Sequence, residues 1–410
     1  MTDAAPLKTS PVTPPAALMD RRHIFPTYAP PALKFIKGEG TWLTDEHGNR
    51  YLDFISGISV NTLGHAHPDL VAALQKQAEN LWHLSNMFDV PGQAELAARY
   101  CELTFADRVF FTNSGAEAVE CALKAARRYH FENGAPERVN IIGFSGAFHG
   151  RTYGAINAAG NPAYLKGFGP ALPGYISLPF GDHDALKAAM DDTIAAVIVE
   201  PVQGEGGLRA MPTECLTGLR ALCDETGALL IYDEVQCGAG RTGKLFAHEW
   251  AENAAPDIMA AAKGVGGGFP FGMCLASEAV GKHMVVGTHG STYGGNALAM
   301  AVGHAVLDHL GTPEFLAHVR AISDRMHAGF QALVNDFTNV LAVRGKGLLS
   351  GCQLDMPNTQ VRDAARERGL LIGVAGDNVI RLAPPLNASF EEVDEALTRL
   401  RDTLKALHNQ

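Results

Sequence analysis

The chain predicts an α/β fold, a mostly parallel sheet between helices, on three observations. Short β-rich runs recur through its middle, several of them apolar on both faces, as strands covered by helices on either side require. Helical patterns lie between these runs, and alternation of strand and helix implies a layered α/β structure. At 410 residues, 47% apolar and 19% charged, the chain is long enough to bury a large core.

Taken in order, residues 1–21 combine several prolines with small residues and read as a flexible arm. They lack the basic and apolar blocks of a signal peptide, and no run approaches the ~18 apolar residues that span a bilayer. Residues 22–60 are expected to pack with a smaller C-terminal domain, and 61–309 to form the large domain. Seven runs there read as strands: VFFT (109–112), NIIGF (140–144), YISL (175–178), AAVIVE (195–200), ALLIYDE (228–234), IMAAA (258–262) and GMCLAS (272–277). Val119, Ala122, Leu123 and Ala126 repeat at helical spacing between the first two, and Leu216, Leu219 and Cys223 do so later. Residues 310–410 are assigned to the smaller α+β domain. There VIRLAPPL (379–386) is a strand stopped by prolines, and Ser389 with Glu392 forms a capping box opening a helix with Val393, Ala396, Leu397, Leu400, Leu404 and Leu407 on one face.

A net charge of −11 argues against a polyanion-binding surface, so nucleic acid is not an expected partner. Seven cysteines, an odd number without C-x-x-C spacing, read as reduced thiols and a cytoplasmic location.

Gly238 to Lys244 spell G-A-G-R-T-G-K, close to a nucleotide-binding phosphate loop. That loop needs Ser or Thr after the lysine and a direct strand-to-helix junction. Here Leu245 follows, and Asp233 to Gln236 intervene after the strand. No G-x-G-x-x-G opens a first strand–helix unit, so a dinucleotide site is not expected either. His65 and His67 in GHAHP could pair on a metal, but an H-x-H at a turn before proline reads first as structural, and no metal site is expected.

In parallel α/β sheets, ligands sit outside the carboxyl ends of the strands. Asp233 ends one apolar run and Lys263 directly follows another, which would bring a carboxylate and an amine into one crevice. Asn113, Ser114, Gly115 and Ala116 follow VFFT and open a helix whose free amides can hold a phosphate. A phosphate cradle, a lysine and a buried acid are the parts that pyridoxal phosphate needs: the amine joins its aldehyde, and the acid keeps the pyridine nitrogen protonated. The small neighbours of Lys263, Ala260 to Ala262 and Gly264, leave room for the ring.

With these residues in view, the chain resembles the class III, fold-type I aminotransferases, most closely the acetylornithine aminotransferase group. The resemblance runs from about residue 22 to 408. GHAHP (64–68), NSGAEA (113–118), FHGRT (148–152), EPVQGEGG (200–207), DEVQCGAGRTG (233–243), AAKGVGGGFP (261–270), HGSTYGGN (289–296) and RLAPPL (381–386) carry it. It implies that Lys263 bonds the cofactor and later shuttles a proton, that Asp233 partners the pyridine nitrogen, and that Gln236 donates to the ring hydroxyl. Phe148 would stack on the ring, and Ser114, Gly115 and Ala116 would hold the phosphate. The family more often has Thr where Ala116 stands. Thr292 would reach the phosphate, and Ser291 the substrate, of a neighbouring subunit, so that the site is completed in a homodimer.

The resemblance makes Arg151 and Arg381 the arginines that hold substrate carboxylates, with Glu205 masking Arg381 when the donor carries only one. It implies transfer of the δ-amino group of N2-acetyl-L-ornithine to 2-oxoglutarate by a ping-pong scheme, yielding N-acetylglutamate 5-semialdehyde and L-glutamate, a step of arginine biosynthesis. Ile58 stands where plain ornithine aminotransferases typically carry tyrosine. N-succinylornithine, succinyldiaminopimelate, ornithine and 4-aminobutyrate remain alternative donors, and a catalytically silent binding or regulatory module is a distant alternative.

Overall fold

The computed structural model describes residues 23–408; the expected N-terminal arm, 1–21, lies outside the described residues. All seven expected runs are strands of one sheet. From edge to edge they are Arg108–Thr112, Gly272–Ala276, Ile258–Ala262, Leu229–Asp233, Ile194–Val199, Asn140–Phe144 and Tyr175–Leu178. Only Gly272–Ala276 runs against its neighbours; the other pairings are parallel. Four of these strands are buried at every residue, which is why their sequences are apolar on both faces.

The helix Gly115–Glu132 lies on one face of the sheet through Ala118, Val119, Ala122, Leu123, Ala125 and Ala126. Its many alanines let the helix axis approach the strands closely. The helix Thr213–Thr226 buries Leu216, Leu219 and Cys223, the residues that the sequence spacing selected.

Three short N-terminal strands, Phe35–Glu39, Trp42–Asp45 and Arg50–Asp53, form an antiparallel meander. The last of them pairs in parallel with Leu370–Leu371, joining the two ends of the chain. A separate antiparallel sheet follows the order Val340–Lys346, Leu349–Leu354, Val379–Leu382 and Gly373–Ala375, with the helices Pro313–Asp336, Asn358–Glu367 and Phe390–His408 around it. The helix Phe390–His408 starts at the capping box: Ser389 Oγ accepts from Glu392 N at 3.2 Å, and Glu392 Oε2 accepts from Ser389 N at 2.9 Å. The other carboxylate oxygen of Glu392 accepts from Trp42 Nε1 at 3.2 Å and from Thr41 Oγ1. A helix cap thus also fastens the N-terminal meander.

What positions the site is the alignment of strand ends. Asp233 lies opposite Ala260 on the neighbouring parallel strand, and Lys263 begins the turn directly after Ala262. Thr112 ends its strand at the same edge, opposite Gly272. A Cβ on Gly272 would lie 2.7 Å from Thr112 Oγ1 and 2.9 Å from Ser114 O, so only glycine lets the antiparallel strand pass there.

Candidate active site

At this edge a cavity of about 480 Å³ is lined by Asn113, Ser114, Gly115, Ala116, Phe148, Arg151, Asp233, Gln236 and Lys263. The size suits a cofactor or small substrate. The chain reaches it through strand ends and the turns that leave them, so strand apolarity sets where each functional side chain stands.

Asp233 and Glu234 are both buried, at 3% and 1% exposure, and their chemistry diverges. Successive residues leaving a strand point to opposite sides. Asp233 lines the cavity. Glu234 accepts from Ala247 N and His248 N, both at 2.8 Å, and from His248 Nδ1 at 3.0 Å, which makes it a brace for the loop behind the sheet.

The loop resembling a nucleotide site has no phosphate-binding geometry. Arg241 is fully buried and donates to the carbonyls of Leu348 and Pro384, while Lys244 sits 5.5 Å from the Trp250 ring.

Asp233 Oδ1 accepts from Val235 N at 3.0 Å, and Oδ2 is 2.7 Å from Nδ1 of the buried His149. Burial alone would lower the pKa of His149; its bond to Asp233, then the charges of Asp233 and Glu200, outweigh burial and raise it. Glu200, the residue after Ile194–Val199, accepts from Phe148 N at 3.1 Å and Gly204 N at 3.5 Å. Burial pushes its carboxyl up to about 8, with Asp233 pushing the same way and His149 opposing. The result is a buried acid–imidazole–acid group in the cavity wall.

Lys263 stands in left-handed backbone, φ 51°, which a side-chain-bearing residue adopts at a cost of roughly 1–2 kcal/mol. Such strain persists where the surroundings dictate it, as they do at functional sites. Burial lowers its amine from 10.5 to about 8, against the opposing pull of Glu205 and Asp233. That brings a free amine within reach near neutral pH.

The helix Gly115–Glu132 begins at the cavity wall. Ser114 caps it, its Oγ accepting from Glu117 N at 3.3 Å, and helix geometry leaves the first N–H groups, those of Gly115 and Ala116, without intrahelical partners. A Cβ on Gly115 would lie 2.6 Å from Val235 Cγ1, so glycine keeps this wall thin. Free helix N–H groups attract an anion. An amine, a buried carboxylate and a helix N-terminus around one cavity fit pyridoxal phosphate, with Phe148 beside them for its ring. Ala116 adds no hydroxyl.

Glu205, Gln236 and Arg381 form a cluster. Arg381, 3% exposed, donates through Nη1 to Glu205 Oε1 at 2.5 Å and to Gln236 Oε1 at 3.1 Å, while its Nε is buried without a partner. Gln236 Nε2 makes only a long 3.4 Å bond to Glu205. Burial would raise the Glu205 pKa, but the Arg381 guanidinium beside it, helped by Lys263 and Gln236, holds it below the usual carboxylate value, so the acid stays charged. Arg151 differs: it is exposed, with Cζ 3.9 Å from the Tyr164 ring centroid and 5.2 Å from that of Phe148.

Ser291 and Thr292 do not enter this cavity. Ser291 Oγ accepts from Gly294 N at 2.9 Å and from Asn113 Nδ2 at 3.3 Å. Thr292 is exposed and borders a separate surface hollow of about 370 Å³. Ile58, φ 66°, belongs to a left-handed turn with Ser56, Gly57 and Ser59; Val60 just after it lines the cavity, and Ile58 does not.

Sequence reasoning missed His149, Glu200 and Tyr164. Glu200 carried the signal that marked Asp233, an acid closing an apolar strand. His149 had no such signal beyond standing between Phe148 and Arg151.

A family model described as Aminotransferase class-III matches residues 26–404. An acetylornithine aminotransferase 2 of Caulobacter vibrioides is 55% identical over 396 residues, covering 96% of this chain and 98% of its own. Among solved structures, the ornithine aminotransferase of Toxoplasma gondii superposes with a TM-score of 0.91 at 32% identity, covering 95% of this chain and 94% of that one. The N-acetylornithine aminotransferase of Stenotrophomonas maltophilia does so with a TM-score of 0.82 at 38% identity, over 93% and 98% of the two chains.

Proposed function

Because the chain belongs to the class III aminotransferases and works with pyridoxal phosphate, we propose that it moves the δ-amino group of N2-acetyl-L-ornithine to 2-oxoglutarate. The products are N-acetylglutamate 5-semialdehyde and L-glutamate, which places the reaction in arginine biosynthesis. One observation supports this reading above the rest: Arg151, which lines the cavity, and Arg381, bonded to the cavity residue Gln236, are in unequal states. Arg381 is held by Glu205, while Arg151 lines the cavity with the rings of Phe148 and Tyr164 beside its guanidinium and no ion-pair partner among the described residues. A donor with one carboxylate needs only Arg151. A dicarboxylate acceptor also takes Arg381, after displacing Glu205. Arginine suits both tasks because its planar fork binds a carboxylate in two parallel bonds.

Pyridoxal phosphate supplies the electron sink and the amine carrier. The chain supplies the rest. Lys263 Nζ would take the proton from the amine-bearing carbon of the donor and pass it to the aldehyde carbon of the cofactor, and would run the same transfer in reverse onto the acceptor carbon. Asp233, fixed by His149 and Val235 N, holds a negative charge against the ring nitrogen. Gly115 and Ala116 hold the phosphate with Ser114, Phe148 covers the ring, and Gln236 Nε2 serves its hydroxyl.

A panel of N-acetylornithine, N-succinylornithine, succinyldiaminopimelate, ornithine and 4-aminobutyrate with 2-oxoglutarate tests the assignment. Acetylornithine should lead in kcat/KM by at least ~tenfold, within what one pocket contact can discriminate. A different leading donor overturns the donor but not the class. Initial rates should give parallel lines, and intersecting lines exclude the two-stage scheme.

Tyr164 orients Arg151. Tyr164→Ala should raise the donor KM by ~2–30-fold, the span of a ring–guanidinium contact of about 0.5–2 kcal/mol, with little change in kcat. An unchanged KM removes Tyr164 from donor binding.

We also place Ser291 and Thr292 at the site of a second copy, making the homodimer the active unit. Dilution to monomer should abolish activity, and a fully active monomer refutes the shared site. Among the described residues no helix is long and apolar enough to cross a membrane. The seven free cysteines support a reducing, cytoplasmic setting.

A further inference from the structure

The histidines of GHAHP part company in the fold. His65 Nε2 is 2.8 Å from Asp53 Oδ2, a buried carboxylate that also accepts from Ile55 N and Ser56 N. His65 is therefore spent on structure. His67 stands apart as the residue before the helix Pro68–Ala78, and its Nδ1 is buried with no hydrogen-bond partner.

Two further ligand-bearing side chains meet it. Asp69 lies in the first turn of the same helix, and His309 in the last turn of Ala297–Leu310. His309 Nε2 is 2.8 Å from Asp69 Oδ2, and His67 Nδ1 is 3.9 Å from that oxygen. One ligand atom from each of the three lies within 4.8 Å of the others, and the two imidazoles meet edge to face at 5.0 Å between centroids. A tetrahedral ion with bonds of about 2.0–2.1 Å holds its ligand atoms roughly 3.3 Å apart. The separations from Asp69 Oδ2, 2.8 and 3.9 Å, bracket that value, and the imidazole nitrogens, within 4.8 Å of each other, would close on the ion by side-chain rotation.

We propose that His67, Asp69 and His309 form a binding site for a divalent transition ion, Zn²⁺ by preference, outside the catalytic cavity. Two imidazoles and one carboxylate with an open fourth position, filled by water, form a donor set that Zn²⁺ accepts. Mg²⁺ and Ca²⁺ want more oxygen ligands than are present. The negative end of the helix Ala297–Leu310 favours the cation, and the charge on Asp69 offsets the positive end of Pro68–Ala78.

The site would clamp two helices that frame the catalytic turn. A Cβ on Gly267, in the turn begun by Lys263, would lie 2.8 Å from both Leu70 Cδ1 and Val306 Cγ2. Leu70 is one residue after Asp69, and Val306 one helical turn before His309. Binding to the native state raises the melting temperature by mass action.

The test uses chelator-treated, tag-free holoenzyme titrated with Zn²⁺ by equilibrium dialysis, with melting curves alongside. The wild type should take up one Zn²⁺ per chain and melt higher with the ion present. His309→Gln and Asp69→Asn, both changes at partly exposed side chains, should each bind at least ~tenfold more weakly and lose the melting shift, since even a residue supporting a ligand costs 10–100-fold. Transaminase activity of both variants without Zn²⁺ should match the wild type, which shows that they fold. Uptake of less than half an ion per chain at roughly 100 µM free Zn²⁺, or equal affinity in wild type and both variants, overturns the proposal.

Discussion

Replacing Lys263 with alanine is expected to abolish transamination while leaving the fold intact. Proton transfer by a positioned base alone is worth about 10²–10⁴-fold, and in the proposed mechanism the same amine also captures the cofactor. Both roles vanish together, so the loss in kcat should reach at least the upper end of that range. Stability of the apoprotein should not fall. The side chain carries an amine whose pKa burial lowers from 10.5 to about 8, so below pH 8 the folded state bears a charge that water would hold more cheaply. Between pH 8 and 10.5 the unfolded chain binds the extra proton, so the wild type gains stability from this group as pH rises through that window. Lys263→Ala should lack the gain, and melting curves from pH 7 to 10 check it. Lys263→Gly should melt somewhat higher still, because it also relieves the left-handed backbone at this position. In the wild-type apoprotein, reaction of the amine with pyridoxal phosphate should climb tenfold per pH unit and level off above about 8. A plateau delayed to 10 means that the amine is not desolvated.

The strands of the central sheet were legible because burial on both faces demands continuous apolar runs, and the active-site edge was legible because polar residues end those runs abruptly. Asp233 and Lys263 stand out for that reason. The N-terminal meander was not legible: FIKGE, WLTD and RYLD are short and largely half-buried, and their order comes from partners hundreds of residues away, Leu370 and Glu392. Nothing in the sequence says that Asp233 faces the cavity while Glu234 turns to His248, since that depends on which way the strand's last pleat points. Arg151 and Arg381 look alike in sequence and differ in the fold, one exposed among aromatic rings, the other 3% exposed and bound to Glu205. Their inequality arises between segments far apart in the chain and is visible only in three dimensions. Ser291 and Thr292 belong to a proposed interface, so their position in one chain explains only why they miss its cavity.

Asp233→Asn should lower kcat by ~10–10³-fold, and Glu200→Gln should cost only a few-fold, although both acids are buried at the ends of adjacent strands. The difference lies in charge. A carboxylate facing a cation typically raises the cation's pKa by about 1–3, roughly 1.4–4 kcal/mol, and the amide of asparagine gives that up while keeping the shape. Glu200, by contrast, has its carboxyl pushed up to about 8, so at pH 7 it is largely protonated and glutamine imitates it. Glutamine loses one acceptor oxygen among the bonds to Phe148 N and Gly204 N, a cost near 1 kcal/mol that falls on stability more than on turnover. His149 bonds to Asp233 and lies within electrostatic reach of Glu200. Without the charge at Asp233, burial becomes the dominant influence on its ring, and the imidazole should titrate lower than in the wild type. The wild-type rate near pH 7 should therefore depend on negative charge at residue 233 and not on charge at residue 200. Measuring kcat for both variants from pH 6 to 9 separates these roles. Equal losses would mean that the charge is spread over the whole acid–imidazole–acid group, and the assignment of the ring-nitrogen partner to Asp233 alone would fail.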